Sequence, residues 1–383
     1  MQKSEIVIAG CGLSGMITAL SFAYYGIKTT IIEKQNINGE SFFEDVRTTA
    51  LTKSSVEFFK EINIHREIFN IAGPINHIYV ADNKASEMIC FAVEEGADPM
   101  GYIVENRLLK RRLLDLVSAN KLIKIIDARS YTVKENNEES CILILADLTE
   151  IKANLLIPCE GYNSEVKKKY FSSIVNKLYP QYAITFLIKH EIEHEGTALE
   201  HFMPSGPFAI LPLRDQNISS VVWTIKSEMK DALMKLSKEE FRYLVRKNCG
   251  NFLGKVELQS EVRAFELKAC LTGRYFNKRI VLVADAAHII HPLAGQGLNQ
   301  GIKDIKSLLL NILEYKIDKK ALLNYENARK KDNAAMLEIT DNINRIFSLN
   351  SSFLHQSRQL AFASIEKILP LKNLLLEYAM GYR

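Results

Sequence analysis

Several features that mark common classes of protein are scarce or missing in this chain of 383 residues. No apolar run is long enough to span a bilayer, and no basic arm or basic–aromatic cluster accompanies the mild net charge of +4. The six cysteines are scattered, without a C-x-x-C pair, and tryptophan occurs once. These absences argue against a membrane-spanning protein, a nucleic-acid-binding protein and a zinc-binding protein.

The composition is that of a soluble globular protein with room for two domains. Hydrophobic residues make up 47% and charged residues 25%. Free thiols and an N-terminus that enters a strand directly predict a cytoplasmic location. A peripheral contact with the inner membrane is left open, because residues 360–381 place apolar side chains at helical spacing between lysines. Packing of this tail against the protein core is the alternative.

The first motif lies near the N-terminus. Gly10, Gly12 and Gly15 follow an apolar strand, Glu5 to Ala9, and precede a helical pattern; a second strand then finishes at Glu33. The glycines permit a tight turn and close approach of a diphosphate, and an acidic side chain at the second strand's end can accept from ribose hydroxyls. The pattern predicts a dinucleotide-binding βαβ unit without distinguishing FAD from NAD.

The second motif runs from Ile280 to Asp304. An apolar strand leads to Asp285, Pro292 enforces a break, and a helix is expected from about Leu298. The Gly-Gln-Gly turn before that helix lets the backbone approach a flat ligand closely. The helix N-terminus favours an anion or a ring that becomes anionic, so this segment points to a flavin.

The second motif resembles the FAD-contacting segment of aromatic-ring monooxygenases, and more narrowly that of the ubiquinone-biosynthesis hydroxylases. The family signature H-P-(aliphatic)-A/G-G-Q-G-x-N-x-G-x-x-D is met at every fixed position. The stretches EDVRTTALT, GYIVENRLLKRRLL and GPFAILPL resemble the same family, which extends the likeness over most of the chain.

The resemblance implies an α/β fold. A Rossmann-like FAD-binding domain of the p-hydroxybenzoate-hydroxylase type is expected at 1–73, 98–178 and 270–320. A substrate domain on a mostly antiparallel sheet is expected at 74–97 and 179–269, and C-terminal helices at 321–383. Within the first domain, the pattern at 124–128 and 141–146 predicts two strands of one hairpin or meander.

The implied activity is hydroxylation of the aromatic ring of a polyprenylated phenol in ubiquinone biosynthesis. NAD(P)H would reduce the flavin, O2 would add to it, and a flavin hydroperoxide would deliver the hydroxyl group. Two alternatives stay open: a flavoprotein on the same fold that reduces isoprenoid double bonds, and a non-catalytic subunit, flavin-binding or flavin-empty, that scaffolds a biosynthetic complex. The single tryptophan excludes the W-x-W-x-I-P element of the related flavin halogenases.

The resemblance also implies a set of cofactor contacts. Arg47 is expected to contact the diphosphate or the adenosine, and Arg107 is expected to contact an FAD phosphate. Lys110, Arg111 and Arg112 are expected to form a solvated helix face. The full set of expected contacts is Gly10, Gly12, Leu13, Ser14, Gly15, Glu33, Lys34, Arg47, Arg107, Asp285, Pro292, Gly295, Gln296, Gly297, Leu298 and Asn299.

Three positions depart from the family pattern. Glu160 and Lys167 stand where Asp and Arg are usual, which makes the use of NAD(P)H the weakest implication. Ala284 replaces a glycine, and its methyl group is acceptable only if the local φ is negative. His288 and His291 are expected to pack or hydrogen-bond rather than hold a metal, and no general base for the phenol can be named from the sequence.

Overall fold

The computed structural model describes residues 2–82, 88–94, 96–291, 295–348, 377 and 380–382. The described strands are β1 (Gln2–Ala9), β2 (Thr29–Glu33), β3 (Thr48–Thr52), β4 (Gly73–Ile75), β5 (His77–Asp82), β6 (Met88–Ala92), β7 (Gly101–Glu105), β8 (Ile123–Asp127), β9 (Tyr131–Asn136), β10 (Cys141–Leu145), β11 (Glu150–Pro158), β12 (Ser173–His190), β13 (Thr197–Met203), β14 (Gly206–Pro212), β15 (Ile218–Lys226), β16 (Val256–Leu258), β17 (Arg263–Thr272), β18 (Phe276–Asn277), β19 (Ile280–Val281) and β20 (His288–Ile289). The described α-helices are α1 (Leu13–Tyr24), α2 (Lys53–Glu61), α3 (His65–Phe69), α4 (Asn106–Ala119), α5 (Glu165–Tyr170), α6 (Ser227–Met234), α7 (Lys238–Cys249), α8 (Gln296–Tyr315) and α9 (Lys319–Ser348).

The first sheet is built on parallel strands in the order β19-β11-β1-β2-β8. Its central strand β1 is apolar on both sides because both faces are covered. Ile6 and Ile8 pack in the core that includes α1 and α8, whereas Val7 and Ala9 pack in the core that includes β9 and β10. The helices after β1 and β19 therefore begin at the carboxyl edge of this sheet, where open α/β sheets bind ligands.

The second sheet has nine strands and is largely antiparallel, with the order β20-β17-β12-β15-β14-β13-β5-β6 and β16 beside β12. Alternate side chains on each strand point to opposite faces. One face packs against α6 and α7 through residues such as Phe186, Trp223 and Phe241. The opposite face contacts a three-stranded sheet, β3-β7-β4, and helix α9.

The predicted fold class is confirmed, while the domain boundaries stay a prediction. The predicted pairing of 124–128 with 141–146 is wrong: β8 pairs in parallel with β2, and β10 pairs with β9 and β11. The polar loop between the two segments contributes strand β9 and its turn. Local alternation predicts a strand but not its partner, because the partner is set by packing of distant segments.

None of the described helices is both long and apolar enough to cross a membrane. The helix predicted at 360–381 falls largely outside the described residues.

Candidate functional site

The turn between β1 and α1 combines a tight backbone with open space. Gly10 has a φ of +105°, and a Cβ there would lie 2.9 Å from the carbonyl oxygen of Cys159. A Cβ on Gly15 would lie 2.0 Å from the carbonyl oxygen of Gly10. A Cβ on Gly12, by contrast, would meet no atom of the described residues within 4 Å. Gly10 and Gly15 are thus required by the protein's own packing, whereas Gly12 leaves room for another molecule.

Gly12 is also the N-cap of α1, and no side chain caps this helix end. The first N–H groups of a helix have no intrahelical acceptor, and they carry the positive end of the helix dipole. An uncapped helix N-terminus in front of open space fits the diphosphate of a dinucleotide.

The carboxylate of Glu33 ties together the two loops at this edge of the sheet. It accepts hydrogen bonds from the backbone N–H groups of Cys11, at 2.5 Å, Lys34, at 2.7 Å, and Gln35, at 2.9 Å. An ionised carboxylate has about four acceptor positions, so these three bonds leave one for a ribose hydroxyl.

The side chain of Lys34 points to Glu160, with Nζ 2.7 Å from a carboxylate oxygen. The hydroxyl groups of Tyr131 and Ser164 donate to the other oxygen of Glu160, at 2.7 and 3.1 Å. Burial and the neighbouring Glu160 raise the pKa of Tyr131, so its phenol stays protonated and donates. The longer acidic side chain at this position is therefore fully engaged by neighbouring residues.

Helix α8 begins at a second turn with the same combination of features. Its N-cap, Gly295, has a φ of +62° and no side chain caps the helix. A Cβ on Gly297 would lie more than 4 Å from every atom in the described part of the chain. Asn299 binds inside the protein instead: its amide nitrogen donates to the carbonyl oxygen of Ala50 at 2.7 Å, and its oxygen accepts from the Thr52 N–H at 3.0 Å. The turn is thereby attached to β3.

Asp285 and Arg47 lie close enough to interact electrostatically. The Asp285 side chain is exposed to solvent, yet the surrounding protein raises its pKa. Arg47 is 55% exposed and forms a two-point ion pair with Asp45, at 2.8 and 2.7 Å, which raises the pKa of the guanidinium. Arg47 also lies close enough to Asp285 to oppose the rise in its pKa. A charged group that is accessible to solvent yet enclosed by protein is typical of a binding cleft.

Ala284 adopts a φ of +52°, so the condition of a negative φ is not met. Its methyl group occupies the space beside Gly301, where a Cβ would lie 2.6 Å away. Alanine in the left-handed region is strained relative to glycine. The turn before Asp285 keeps the conformation that suits glycine although it carries alanine.

A buried cluster around Asp304 holds this strained turn. The carboxylate accepts from the Ala284 N–H at 3.0 Å, His288 Nε2 at 2.6 Å, Arg329 Nε at 2.8 Å and Asn333 Nδ2 at 3.1 Å. Burial alone would raise the pKa of Asp304, but the neighbouring His288 and Arg329 outweigh it and the pKa is lowered. The final residue of the family signature thus serves the architecture of the site.

His291 lies on the other side of the same loop. Its Nε2 atom is 3.3 Å from Oε1 of Gln181, and burial lowers the pKa of the imidazole to about 4. The ring is therefore neutral at physiological pH.

Lys110 is not on a solvated helix face, which corrects the sequence-based expectation. Its ammonium lies 3.4 Å from the centre of the Phe42 ring, and burial lowers its pKa while Glu33 and Asp45 oppose that shift. Lys110 is therefore a cation of the cleft that the sequence analysis missed. Its spacing of three residues from Arg107 was the available signal, since such residues share a helix face.

Two other cations differ from each other in their exposure to solvent. Arg107 is 54% exposed and lies 3.5 Å from Glu105. Lys167 is buried, with Nζ 3.3 Å from the Cys270 sulfur, and its charge opposes the raised pKa of Asp285. Arginine at position 167 would bring a planar fork into a space occupied here by an ammonium.

Most of the predicted contacts therefore converge on the carboxyl edge of the first sheet. Pro292 lies outside the described residues. Helix α1 packs against α8, and Ser14 Oγ lies 3.9 Å from the position of a Cβ on Gly301. The predicted contacts at the β1–α1 turn are Gly10, Gly12, Leu13, Ser14 and Gly15, and those at the α8 turn are Gly295, Gln296, Gly297, Leu298 and Asn299.

Comparison with known proteins agrees with a site for FAD. The family model for an FAD binding domain matches residues 3–340. The ubiquinone hydroxylase UbiL of Rhodospirillum rubrum is 32% identical over 99% of this chain and 90% of its own length. The 3-demethoxyubiquinol 3-hydroxylase of Escherichia coli is 28% identical over 99% of both chains. The crystal structure of p-nitrophenol 4-monooxygenase PnpA from Pseudomonas putida superposes with a TM-score of 0.79 at 16% identity, over the whole of both chains.

Proposed function

The chain belongs to the ubiquinone-biosynthesis hydroxylase family of FAD-dependent monooxygenases, and on that premise we propose that it hydroxylates the aromatic ring of a polyprenylated phenol with NAD(P)H and O2. The observation that carries the proposal is the pair of uncapped helix N-termini at the carboxyl edge of one sheet, each with a glycine that faces open space. The relatives named as ubiquinone hydroxylases supply the substrate class.

The residues at the edge fit FAD. The N–H groups of Leu13 and Ser14 at the start of α1 would bind the diphosphate, and the free acceptor position of Glu33 would bind a ribose hydroxyl. Asp285 would accept from the ribityl chain. The N–H groups of Gly297 and Leu298 would stabilise negative charge on the ring.

The cations around the cleft would complete the cofactor site. Arg47, Arg107 and Lys110 lie on β3 or α4 or beside them, and each would offset the charge of the diphosphate. When bound, FAD takes a hydride from NAD(P)H and activates O2 for transfer of one oxygen atom. The protein's part is to orient the ring, to exclude water and to hold charge at fixed positions.

The bonds of Glu160 support the use of a nicotinamide co-substrate. Although the residue departs from the family's Asp, its carboxylate is held by Lys34, Tyr131 and Ser164. The motif therefore keeps an ordered negative charge at this edge of the sheet. Reduction of the flavin by NADH and by NADPH distinguishes the two co-substrates.

The wider assignments belong to the same proposal. We infer a cytoplasmic enzyme that meets its prenylated substrate at the inner membrane and takes part in a ubiquinone-biosynthesis complex. The alternatives of an isoprenoid reductase and a flavin-empty scaffold are not favoured, because relatives that match nearly the full chain, UbiL of Rhodospirillum rubrum among them, are named as ubiquinone hydroxylases or ubiquinone-biosynthesis monooxygenases.

The test is the visible spectrum of the purified protein, followed by anaerobic addition of NADPH or NADH. We expect a flavin spectrum that bleaches and then recovers in air, with formation of a hydroxylated product when a prenylated phenol is present. Oxygen consumption separates the hydroxylase from an isoprenoid reductase. A protein that takes up no FAD, or that turns over without a hydroxylated product, would contradict the proposal.

A further inference from the structure

One row of side chains on the second sheet lies on the face opposite α6 and α7. The register of β12, β15, β14, β13 and β5 aligns them one after another. Thr185 lies on the same face of β12 as Ala183 and Leu187, because alternate residues of a strand share a face. Those two residues pack away from the α6–α7 core. The row consists of Thr185, Val222, Ala209, Glu200 and Val80.

The neighbouring rows are covered by β3 and by α9, whereas three of the five residues in this row are partly exposed. On one side, Ser220 hydrogen-bonds to Thr48 of β3 at 2.8 Å, and Ala198 packs in the core beneath β3 and β7. On the other side, Ala183 packs in a cluster with Leu337 of α9. Val222, Glu200 and Val80 remain partly exposed although their strands are interior. The row therefore forms the floor of a groove between β3 and α9.

The described residues at the two ends of the flavin-contacting motif, His291 and Gly295, lie on opposite sides of this groove. His291 contacts Gln181 and the ring of Tyr179 on the α9 side. A Cβ on Gly295 would lie 3.0 Å from the Cβ of Ala50, which is on the β3 side. The groove thus lies where the substrate of a flavin enzyme would have to sit.

Polar atoms at the groove lack protein partners. Within the described residues, Thr185 Oγ1 and His291 Nδ1 are buried without a hydrogen bond. Glu200 makes no hydrogen bond or ion pair with the described part of the chain, and the protein around it raises its pKa to about 7. Buried polar groups are almost always paired, so unpaired ones at one site point to a missing ligand.

The charged and titratable groups around Glu200 leave its carboxyl available. Asp82 is diagonal to it on β5 and on the same face, while the cause of the raised pKa of Glu200 is burial. On the covering elements, His291 is held by Gln181, and Asp341 of α9 is held by Lys177 and Tyr179. No described cation pairs with Glu200.

We propose that Glu200 is the general base of the reaction and accepts the proton of the substrate's ring hydroxyl. This inference rests on the proposed function above. A carboxylate that shares a groove with the phenol and has no partner among the described residues is placed to take that proton, and a base that titrates near the working pH is effective. The ligand class is a phenol whose hydroxyl points to β13.

In this step, the hydroxyl proton moves to the Glu200 carboxylate. The electron pair of the broken O–H bond forms a carbonyl, while the ring carbon bonds to the oxygen atom delivered from O2. The ring carbon then loses its hydrogen as a proton, and the carbonyl oxygen regains one from Glu200. O2 takes two electrons from NAD(P)H and two from the ring, and its second oxygen leaves as water.

The experiment compares the wild-type enzyme with Glu200→Gln and with the control Glu193→Gln, which alters an exposed carboxylate. The substrate is 2-geranylphenol, and the readouts are flavin content, flavin reduction, hydroxylated product and H2O2. We expect Glu200→Gln to keep its flavin and its reduction rate but to lose roughly 10²-fold in hydroxylation at neutral pH, with more H2O2 per NAD(P)H.

A more acidic phenol separates a chemical role from a structural one. With a difluorinated analogue of 2-geranylphenol, whose hydroxyl ionises more easily, the deficit of Glu200→Gln should shrink, because the substrate needs less help to lose its proton. An equal loss on both phenols, or the same rate and pH profile as wild type, would overturn the role of Glu200. Absence of hydroxylation by the wild-type enzyme would instead overturn the proposed function.

Should Glu200→Gln fail to retain flavin, Thr185→Val provides the second variant. Its hydroxyl has no partner within the described residues, so the folded protein loses no internal hydrogen bond. Weaker binding of 2-geranylphenol to Thr185→Val, measured by the change in the flavin spectrum, supports the groove as the substrate site. Unchanged binding contradicts that placement.

Discussion

Two carboxyl groups enclosed by this protein have opposite surroundings. Asp304, between α8 and α9, is fully buried and accepts hydrogen bonds from Ala284, His288, Arg329 and Asn333. Glu200, on the second sheet, makes no hydrogen bond or ion pair with the described residues. The pKa of the first is lowered and that of the second is raised.

The difference separates architecture from chemistry. A buried charge with a full set of donors fixes the elements that supply them, and removing it leaves the partners unpaired. A carboxyl group enclosed without partners opposes folding in its charged form and is retained for a reason other than stability. Asp304 thus secures the turn that carries Asp285, while Glu200 is free to meet a ligand.

The largest expected effect comes from Asp304→Asn. It leaves Arg329 and His288 buried without their carboxylate, so we expect the free energy of unfolding in urea to fall by about 3–5 kcal/mol. Asp304 has a lowered pKa, so its contribution is present above the unfolded pKa of about 3.9 and is lost as the pH falls through the folded pKa. The gap between variant and wild type should therefore be full at pH 7 and should narrow below about pH 4.

Asp332→Asn is the matched control for this prediction. It removes the other carboxylate that pairs with Arg329, but Asp332 is 64% exposed, so a loss of at most about 1 kcal/mol is expected. Equal losses of unfolding free energy for Asp304→Asn and Asp332→Asn would show that burial does not determine how much each carboxylate contributes to stability.

Glu200→Gln should have the opposite effect on stability. A pKa of about 7 in the folded state lies above the unfolded value of about 4.3, so the folded state binds more protons between these values and stability falls as the pH rises through them. We expect the variant to be more stable than wild type by roughly 1–3 kcal/mol at pH 8 and equally stable near pH 4. Urea unfolding at both pH values measures this difference in stability. A variant less stable than wild type at pH 8 would contradict the view that the charged Glu200 carboxylate opposes folding.

Gly12→Ala tests the space reserved for the cofactor. The added methyl group meets no described atom within 4 Å and the local φ is −77°. The free energy of unfolding of the apoprotein should therefore lie within about 0.5 kcal/mol of the wild-type value. The diphosphate would lose its close approach to the backbone, so FAD affinity, measured by fluorescence titration, should fall by about tenfold or more. Gly10→Ala is the control that destabilises the apoprotein itself, since its methyl group would meet Cys159. Unchanged FAD affinity in Gly12→Ala would show that the diphosphate does not bind next to Gly12.

The two glycine turns were predictable because their signal is local. Gly10 to Gly15 and Gly295 to Gly297 each lie next to the strand and helix that define them, so spacing alone locates them. The fold class followed from the same motifs. Glu200 and Lys110 were not predictable as members of the site. The placement of Glu200 depends on the register of five strands, from Thr185 to Val80, and that of Lys110 on the packing of α4 against the segment before β3.

The smallest expected effect concerns Ala284, where the sequence showed the substitution but not its φ. At +52° an alanine costs about 1 kcal/mol relative to glycine in the folded state, while glycine loses more backbone entropy on folding. Ala284→Gly should therefore stabilise the protein by at most about 1 kcal/mol, seen as a small rise in Tm. Ala286→Gly, in the same short turn but outside the left-handed region, should instead lower it. A lower Tm for both variants would show that the Ala284 methyl group beside Gly301 stabilises the protein more by packing than the left-handed backbone destabilises it. The turn before Asp285 would then be stabilised mainly by internal packing, like the buried cluster around Asp304.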